Sequence, residues 1–308
     1  MTIHFGWVLP SGEARMPRDA AQIAPHLHRT IARLRGRFHS LWMPDHFMAG
    51  HSDVLEALTT LSFLAGAVPD LHLGTIVLGQ SYRNPALLAK IAATLQVLSG
   101  GRFILGIGAG WKEDEYHAYG YPFPPLPTRI AQMAEAIQIC RAMWDPAPAA
   151  ASFRGAHYQI EEAICAPKPT PPPPIMIGGG GEKQTLRLVA AHADWWNLVG
   201  VSPQTYAHKI RVLEEHCAAN GRDPARIRKT WMGVVSIART RAQAQAQMAG
   251  YPIWPEDTPL LGTPAEILAQ LQAYIALGVD LFQLSFVDEP AGAGLDRFLA
   301  EVLPAVAG

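Results

Sequence analysis

The sequence predicts a single (β/α)8 barrel, the TIM-barrel arrangement, over residues 1–308. Short apolar segments alternate with longer helical patterns from end to end, eight such segments can be counted, and no all-β block interrupts them. An open, doubly wound sheet is the other architecture compatible with that alternation.

The predicted strands are Ile3–Leu9, Ser40–Met43, Leu71–Leu78, Phe103–Gly108, Ile175–Gly178, Trp195–Val199, Thr230–Ile237 and Leu281–Phe286. The helices between them carry readable ends. Asn84-Pro85 supplies an N-cap and a first-turn proline ahead of Leu87, Leu88, Ile91, Leu95 and Leu98, which share one face, and Ser99-Gly100-Gly101 stops that helix. Ile130, Met133, Ile137, Cys140 and Trp144 line a second helix face. Ser202-Pro203 opens another helix, and Thr263-Pro264-Ala265-Glu266 reads as a capping box. Three stretches break the alternation: the proline-dense segments Tyr119–Pro127 and Pro167–Pro174, and the irregular loop Gly250–Gly262.

Composition narrows the function. Apolar residues make up 49% and charged residues 17%, which fits a globular enzyme rather than a disordered chain. The net charge is -1, with no basic block to track a phosphate backbone, so nucleic acid is not an expected partner. No apolar run reaches the ~18 residues of a membrane span, and the run Phe5–Pro10 is too short for a signal peptide core. The three cysteines, Cys140, Cys165 and Cys217, are widely spaced and odd in number, as expected of reduced thiols in a cytoplasmic protein.

In a barrel of this kind, chemistry sits at the C-terminal ends of the strands. Asp45-His46 follows the second strand at once, in "SLWMPDHFMAGH", and reads either as two polar groups aimed into a site or as ordinary turn chemistry after Pro44. "LGIGAGWKEDE" follows the fourth strand but has Trp111 where a dinucleotide fingerprint needs its third glycine. Its glycines instead suit close approach of backbone to a flat ligand. "IMIGGGGEKQTLRLVA" places Gly178, Gly179, Gly180 and Gly181 between a strand and a helix, so that free N–H groups and a helix dipole converge on one spot suited to phosphate. Lys183 adds a charge there or is a solvated first-turn residue. Metal chemistry finds no support: no H-E-x-x-H is present, and the H-x-H pair His26 and His28 falls in a predicted helix. Neither Lys112 nor Lys229 stands where a Schiff-base lysine would, and no G-x-S-x-G elbow occurs.

Together, "SLWMPDHF", "LGTIVLGQSYRNPALLAKIAATLQVLSGGRFILGIGAGW", "FRGAHYQI", "PPIMIGGGGEKQTLRLVAAHADWWN" and "GTPAEILAQLQAYIALGVDLFQLSF" resemble the luciferase-like flavin- and deazaflavin-dependent oxidoreductases, in the family's order and over most of the chain. The resemblance implies a bacterial-luciferase-like barrel with the cofactor ring across its mouth. It implies a bulge and a non-prolyl cis peptide at Ile76-Val77 behind the ring, Gly108 and Ala109 at the ring edge, and the phosphate at Gly178–Gly181. Asp45 would hydrogen-bond the ring or orient His46, and His46 would act as the acid/base. Glu115 falls at an acidic family position whose role the sequence does not give. "PDHF" and "RNPALLAK" look more like the coenzyme F420 branch than the long-chain FMN monooxygenases, with FMN the alternative cofactor. A member that binds cofactor without turnover is a further alternative, against which the retained His46 argues. The substrate would be a small organic molecule, and the family commonly dimerises. Trp7, Phe47, Met48, Phe123 and Trp254 are the apolar residues that could build its pocket.

Overall fold

In the computed structural model eight parallel strands close on themselves: β1 (His4–Val8), β2 (Ser40–Met43), β3 (His72–Thr75), β4 (Phe103–Gly108), β5 (Ile175–Gly178), β6 (Trp195–Val199), β7 (Arg228–Ile237) and β8 (Val279–Phe286). Each strand pairs with its successor, and β8 pairs with β1 in register from His4–Leu281 to Trp7–Leu284. That last ladder decides between the two architectures: the sheet is a closed barrel, not an open one. The structure describes residues 2–11, 16–17, 19–249, 251 and 257–307, so Trp254 and its immediate neighbours lie outside the described residues.

The helices packed around the barrel include α1 (Ile23–Leu34), α2 (Ala57–Ala67), α3 (Pro85–Leu98), α4 (Glu113–Ala118), α5 (Leu126–Trp144), α6 (Thr185–His192), α7 (Pro203–Ala219), α8 (Arg241–Met248) and α9 (Pro264–Ile275). Their starts follow the predicted caps. Asn84 Oδ1 accepts from the amides of Ala86 and Leu87, Ser202 accepts from Thr205, and Thr263 and Glu266 complete both halves of the capping box.

Residues of each strand alternate between the helical layer and the barrel interior. Val8, Trp42, Ile76, Ile104, Met176 and Leu281 fill the interior. Trp42 is fully buried and fits only because its strand neighbours lack side chains. A Cβ on Gly6 of β1 would lie 2.4 Å from its Nε1, and one on Gly74 of β3 would lie 2.3 Å from its six-membered ring. The indole N–H donates to Ser40 Oγ at 2.8 Å.

Besides a short strand, Leu260–Gly262, which ends the predicted irregular loop and pairs with Val235–Ile237 of β7, two features depart from the predicted elements. The third strand stops at Thr75, and the chain regains the sheet only at Leu78–Gly79, which pairs with Ile107 and Gly108. Thr75 occupies the break: its hydroxyl donates to the carbonyl of Gly106 and accepts from that residue's amide. A Cβ on Gly106 would sit 1.9 Å from the Thr75 carbonyl oxygen, so this contact needs glycine. The second departure is an antiparallel hairpin, Ala151–Arg154 with Gln159–Ala163. Glu135 of α5 holds its turn by accepting from the amides of Ala156, His157 and Tyr158.

At the opposite end of the barrel from the mouth, His39 and His72 stack across the start of β2 and β3, and His4 of β1 lies tilted against His39. Ring centroids are 4.3 Å and 4.6 Å apart, the first pair within 4° of parallel. Burial, with His72, His4 and Arg228 nearby, pushes the pKa of His39 down to about 3.

Two outcomes follow from these packing features. Gly74→Ala should lower unfolding free energy by about 1–3 kcal/mol, the usual cost of overpacking against a rigid ring, as read by denaturant titration. His39 binds no proton in the fold between about pH 6.5 and 3, whereas the unfolded chain does, so its contribution to stability is whole above pH 6.5 and declines as pH falls through that window. The slope of unfolding free energy against pH should therefore be shallower in His39→Asn than in the parent chain below pH 6.

Candidate active site

The C-terminal ends of β2 to β5 bring the predicted residues together. Directly after β2, Asp45 and His46 diverge. The Asp45 side chain is fully buried, and both its oxygens are taken: Arg83 donates through Nη1 and Nη2 at 2.8 Å each, and the Gly79 amide donates at 3.0 Å. Arg83 also reaches Glu56 at 2.6 Å. Burial alone would lower the Arg83 pKa, but Asp45 and Glu56 reverse that and hold it charged. Asp45 therefore ties the β2 end to the Leu78–Gly79 segment. It does not orient His46, contrary to one of the two roles expected of it.

That task falls to Glu115, at the first turn of α4. Its Oε2 stands 3.1 Å from His46 Nδ1 and accepts from the Tyr82 hydroxyl at 3.1 Å, while Oε1 accepts from the amides of Phe47 at 2.5 Å and Met48 at 2.8 Å. Burial pushes this carboxyl's pKa up, yet the bonds from His46 and the two amides outweigh it, and the net shift is downward. An ionised Glu115 cannot donate, so Nδ1 of His46 carries the hydrogen, and Nε2 is left with no partner among the described residues. The edge of Trp111 packs against the His46 ring, with centroids 5.7 Å apart.

Beside this pair lies a narrow shelf. The Ile76–Val77 peptide bond is cis, at the position the resemblance indicated. Val77 sits between Gly108 and Gly178: a Cβ added to Gly108 would come within 2.7 Å of its Cγ2, and one added to Gly178 within 3.0 Å of its Cγ1. The two glycines thus let three strand ends converge on one flat surface, with Ala109 half-buried next to it.

The glycine run continues from the shelf. Gly179, at φ 119°, is anchored by its N–H to the Asn197 carbonyl and by its own carbonyl accepting from Trp196 Nε1, both at 3.0 Å. The amides of Gly180, Gly181 and Glu182 donate to no acceptor among the described residues. Thr185 opens α6 with its side chain against the run: a Cβ on Gly181 would lie 2.9 Å from its hydroxyl oxygen. Unclaimed amides, a hydroxyl and a helix start form a cradle that fits a phosphate group. Lys183 lies outside it, in a groove between α5 and α6. The cation alongside is Lys209 of α7, whose Cε would lie 3.6 Å from a Cβ on Gly180 and whose ammonium pairs with Glu182 at 2.7 Å.

The apolar residues predicted for a pocket divide. Phe47 joins Tyr82, Tyr119 and Tyr121, with centroids 4.5, 4.9 and 6.1 Å away, next to His46. Phe123 lies under the Arg129 guanidinium. Trp7 faces the helical layer instead, fully buried, where its indole donates to Glu289 at 3.2 Å; His26 of α1 approaches the same carboxylate at 3.2 Å.

Asp45→Ala would leave the largely buried Arg83 guanidinium with only the partly exposed Glu56 as a carboxylate partner, so it should destabilise the chain by about 3 kcal/mol, the low end for a broken buried pair, measured by thermal or denaturant unfolding. Leaving Arg83 in place but neutralising its second partner, as in Glu56→Gln, should cost far less, because Glu56 is partly exposed.

A family model described as luciferase-like monooxygenase matches residues 3–257. The F420-dependent glucose-6-phosphate dehydrogenase of Amycolatopsis mediterranei is 31% identical over 165 residues, which is 52% of this chain and 46% of that protein, so the chain spans about half of that relative's length. A phthiodiolone/phenolphthiodiolone dimycocerosates ketoreductase of Mycobacterium bovis is 27% identical over 268 residues, covering 86% of this chain and 68% of the other. Among solved structures, an F420-dependent secondary alcohol dehydrogenase in complex with an F420-acetone adduct superposes over all of both chains with a TM-score of 0.85 at 20% identity. A long-chain alkane monooxygenase superposes with a TM-score of 0.79 at 16% identity, over 99% of this chain and 91% of that one. These structural likenesses carry the fold; the match over residues 3–257 carries the family, and the chain belongs to the luciferase-like monooxygenase family.

Proposed function

We propose that this chain is a coenzyme F420-dependent oxidoreductase acting on a small organic substrate. The observation that carries the reading is the His46–Glu115 pair set next to the Val77 shelf and the glycine cradle. F420-dependent enzymes among its relatives and structural neighbours support the choice of cofactor. The three free, buried cysteines support a cytoplasmic setting, and the exposed Phe63 of α2 with Leu87 and Leu98 of α3 supports a homodimer. FMN remains the second reading, since an FMN phosphate would suit the same cradle and monooxygenases share the fold.

In this reading Gly180, Gly181 and Thr185 hold the phosphate, while Ile76, Val77, Gly108, Ala109 and Gly178 back the ring. When bound, the deazaflavin supplies hydride transfer. The protein supplies the proton: His46 Nε2 gives or takes it at the substrate oxygen, and Glu115 fixes the tautomer and steadies the imidazolium that forms. Trp111 and the Phe47 cluster exclude water from one side of that exchange.

Titrating the apo protein with F420 and with FMN, while following tryptophan fluorescence, tests the cofactor; tight binding of FMN alone would replace hydride transfer by an oxygen-using monooxygenase. His46→Ala should lose ~100- to 10,000-fold in turnover with cofactor affinity nearly intact. Glu115→Gln keeps a hydrogen-bonding group of the same size but loses the charge, and its turnover should fall about 100-fold, at the low end of that range. Equal turnover in the parent chain and His46→Ala would remove His46 from the chemistry, and cofactor binding with no turnover in the parent would leave a protein that binds cofactor without using it.

A further inference from the structure

Outside the barrel mouth, a groove of about 400 Å³ runs along α6 between that helix and α5. One wall carries Lys183, Gln184 and Arg187; the facing wall, from the first turns of α5, carries Pro127, Ile130 and Ala131. No acidic residue lines it. Lys183, in the turn before α6, and Arg187, in its first turn, are exposed, and neither has an ion-pair partner among the described residues. This separates them from Lys112, which pairs with Asp114, from Lys209, which pairs with Glu182, and from Arg83, which pairs with Asp45, while Arg129 is buried over Phe123 and donates to the Gly110 carbonyl. Two unneutralised cations facing an uncharged wall make a site for an elongated anion.

The groove's position suggests which anion. Lys183 follows Gly181 by two residues, and Lys183 and Gln184, which line the groove, stand in the chain between the cradle glycines and Thr185. A ligand anchored there by phosphate and continuing as a chain of carboxylates would pass Lys183 first and Arg187 next. FMN terminates at its phosphate and has nothing to place in the groove, whereas a deazaflavin cofactor continues past its phosphate into a chain of glutamates. We infer that the α5–α6 groove binds the carboxylate-bearing tail of the cofactor through Lys183 and Arg187, an assignment that rests on the F420 reading above.

Exposed carboxylate–cation pairs are individually weak and screened by salt. Two of them should strengthen binding by about 5-fold at low ionic strength, an effect that shrinks towards unity above roughly 0.5 M salt. The test compares dissociation constants, from tryptophan fluorescence, for F420 carrying its glutamates and for the deazaflavin phosphate lacking them. Parent chain, Lys183→Ala/Arg187→Ala and Arg187→Glu are each measured at low and high salt. The inference expects the parent to prefer the tailed form at low salt, the double variant to bind both forms alike, and Arg187→Glu to reverse the preference, with affinity for the tail-less form unchanged throughout. If the parent binds both forms equally, or the double variant keeps the preference, the tail lies elsewhere and the inference is overturned while the cofactor reading stands. If neither form binds, the cofactor reading itself fails, and the groove assignment with it.

Discussion

A buried carboxylate holds the mouth of this barrel in shape. Glu115 comes from the helix after β4, yet all the groups it bonds lie elsewhere: the His46 ring, the amides of Phe47 and Met48, and the Tyr82 hydroxyl. Such a group is costly to bury alone and tolerable once each lone pair has a donor. The same bonds that satisfy it turn the β2 loop so that one imidazole nitrogen is engaged and the other is free. Structure and chemistry depend here on one constraint. Asp45 plays the parallel role a layer lower, clasping Arg83 and the Gly79 amide and so fixing where the shelf begins.

The shelf arises from missing side chains rather than from added ones. Thr75 takes over hydrogen bonds that a continuous β3 would have made to β4, and Gly106 allows the two backbones to touch. Gly108 and Gly178 then flank Val77 closely enough that alanine would need the valine to move. Inside the barrel the same economy recurs, with Gly6 and Gly74 yielding their volume to Trp42. In each case the small residue and the group it accommodates sit on different segments of the chain.

That separation explains what could be read from the amino-acid order and what could not. Strands such as Phe103–Gly108 and caps such as Thr263–Glu266 are written in neighbouring residues, so local pattern finds them. The hairpin at Ala151–Ala163 was missed because most of its residues are at least partly exposed, leaving no apolar alternation to see. The partner of His46 was missed for a different reason. It lies 69 positions away, and the adjacent Asp45 is the more obvious choice until its oxygens are found engaged by Arg83. Lys183 stood nearest the glycine run in sequence, but α7 brings Lys209 closer in space.

The closing ladder between β1 and β8 bears on how the chain reaches this state. The bond from the Trp7 indole to Glu289 joins residues 282 positions apart, and it lies beside the seam where the first strand meets the last. Until β8 is available, β1 keeps one unpaired edge, and the interior around Trp42 lacks the wall that Leu281 provides. Loop closure over such a span is entropically expensive and comes late. An incomplete chain emerging from the ribosome would therefore expose an apolar strand edge for the whole interval before the eighth strand arrives, a period in which protection by a chaperone has a physical basis.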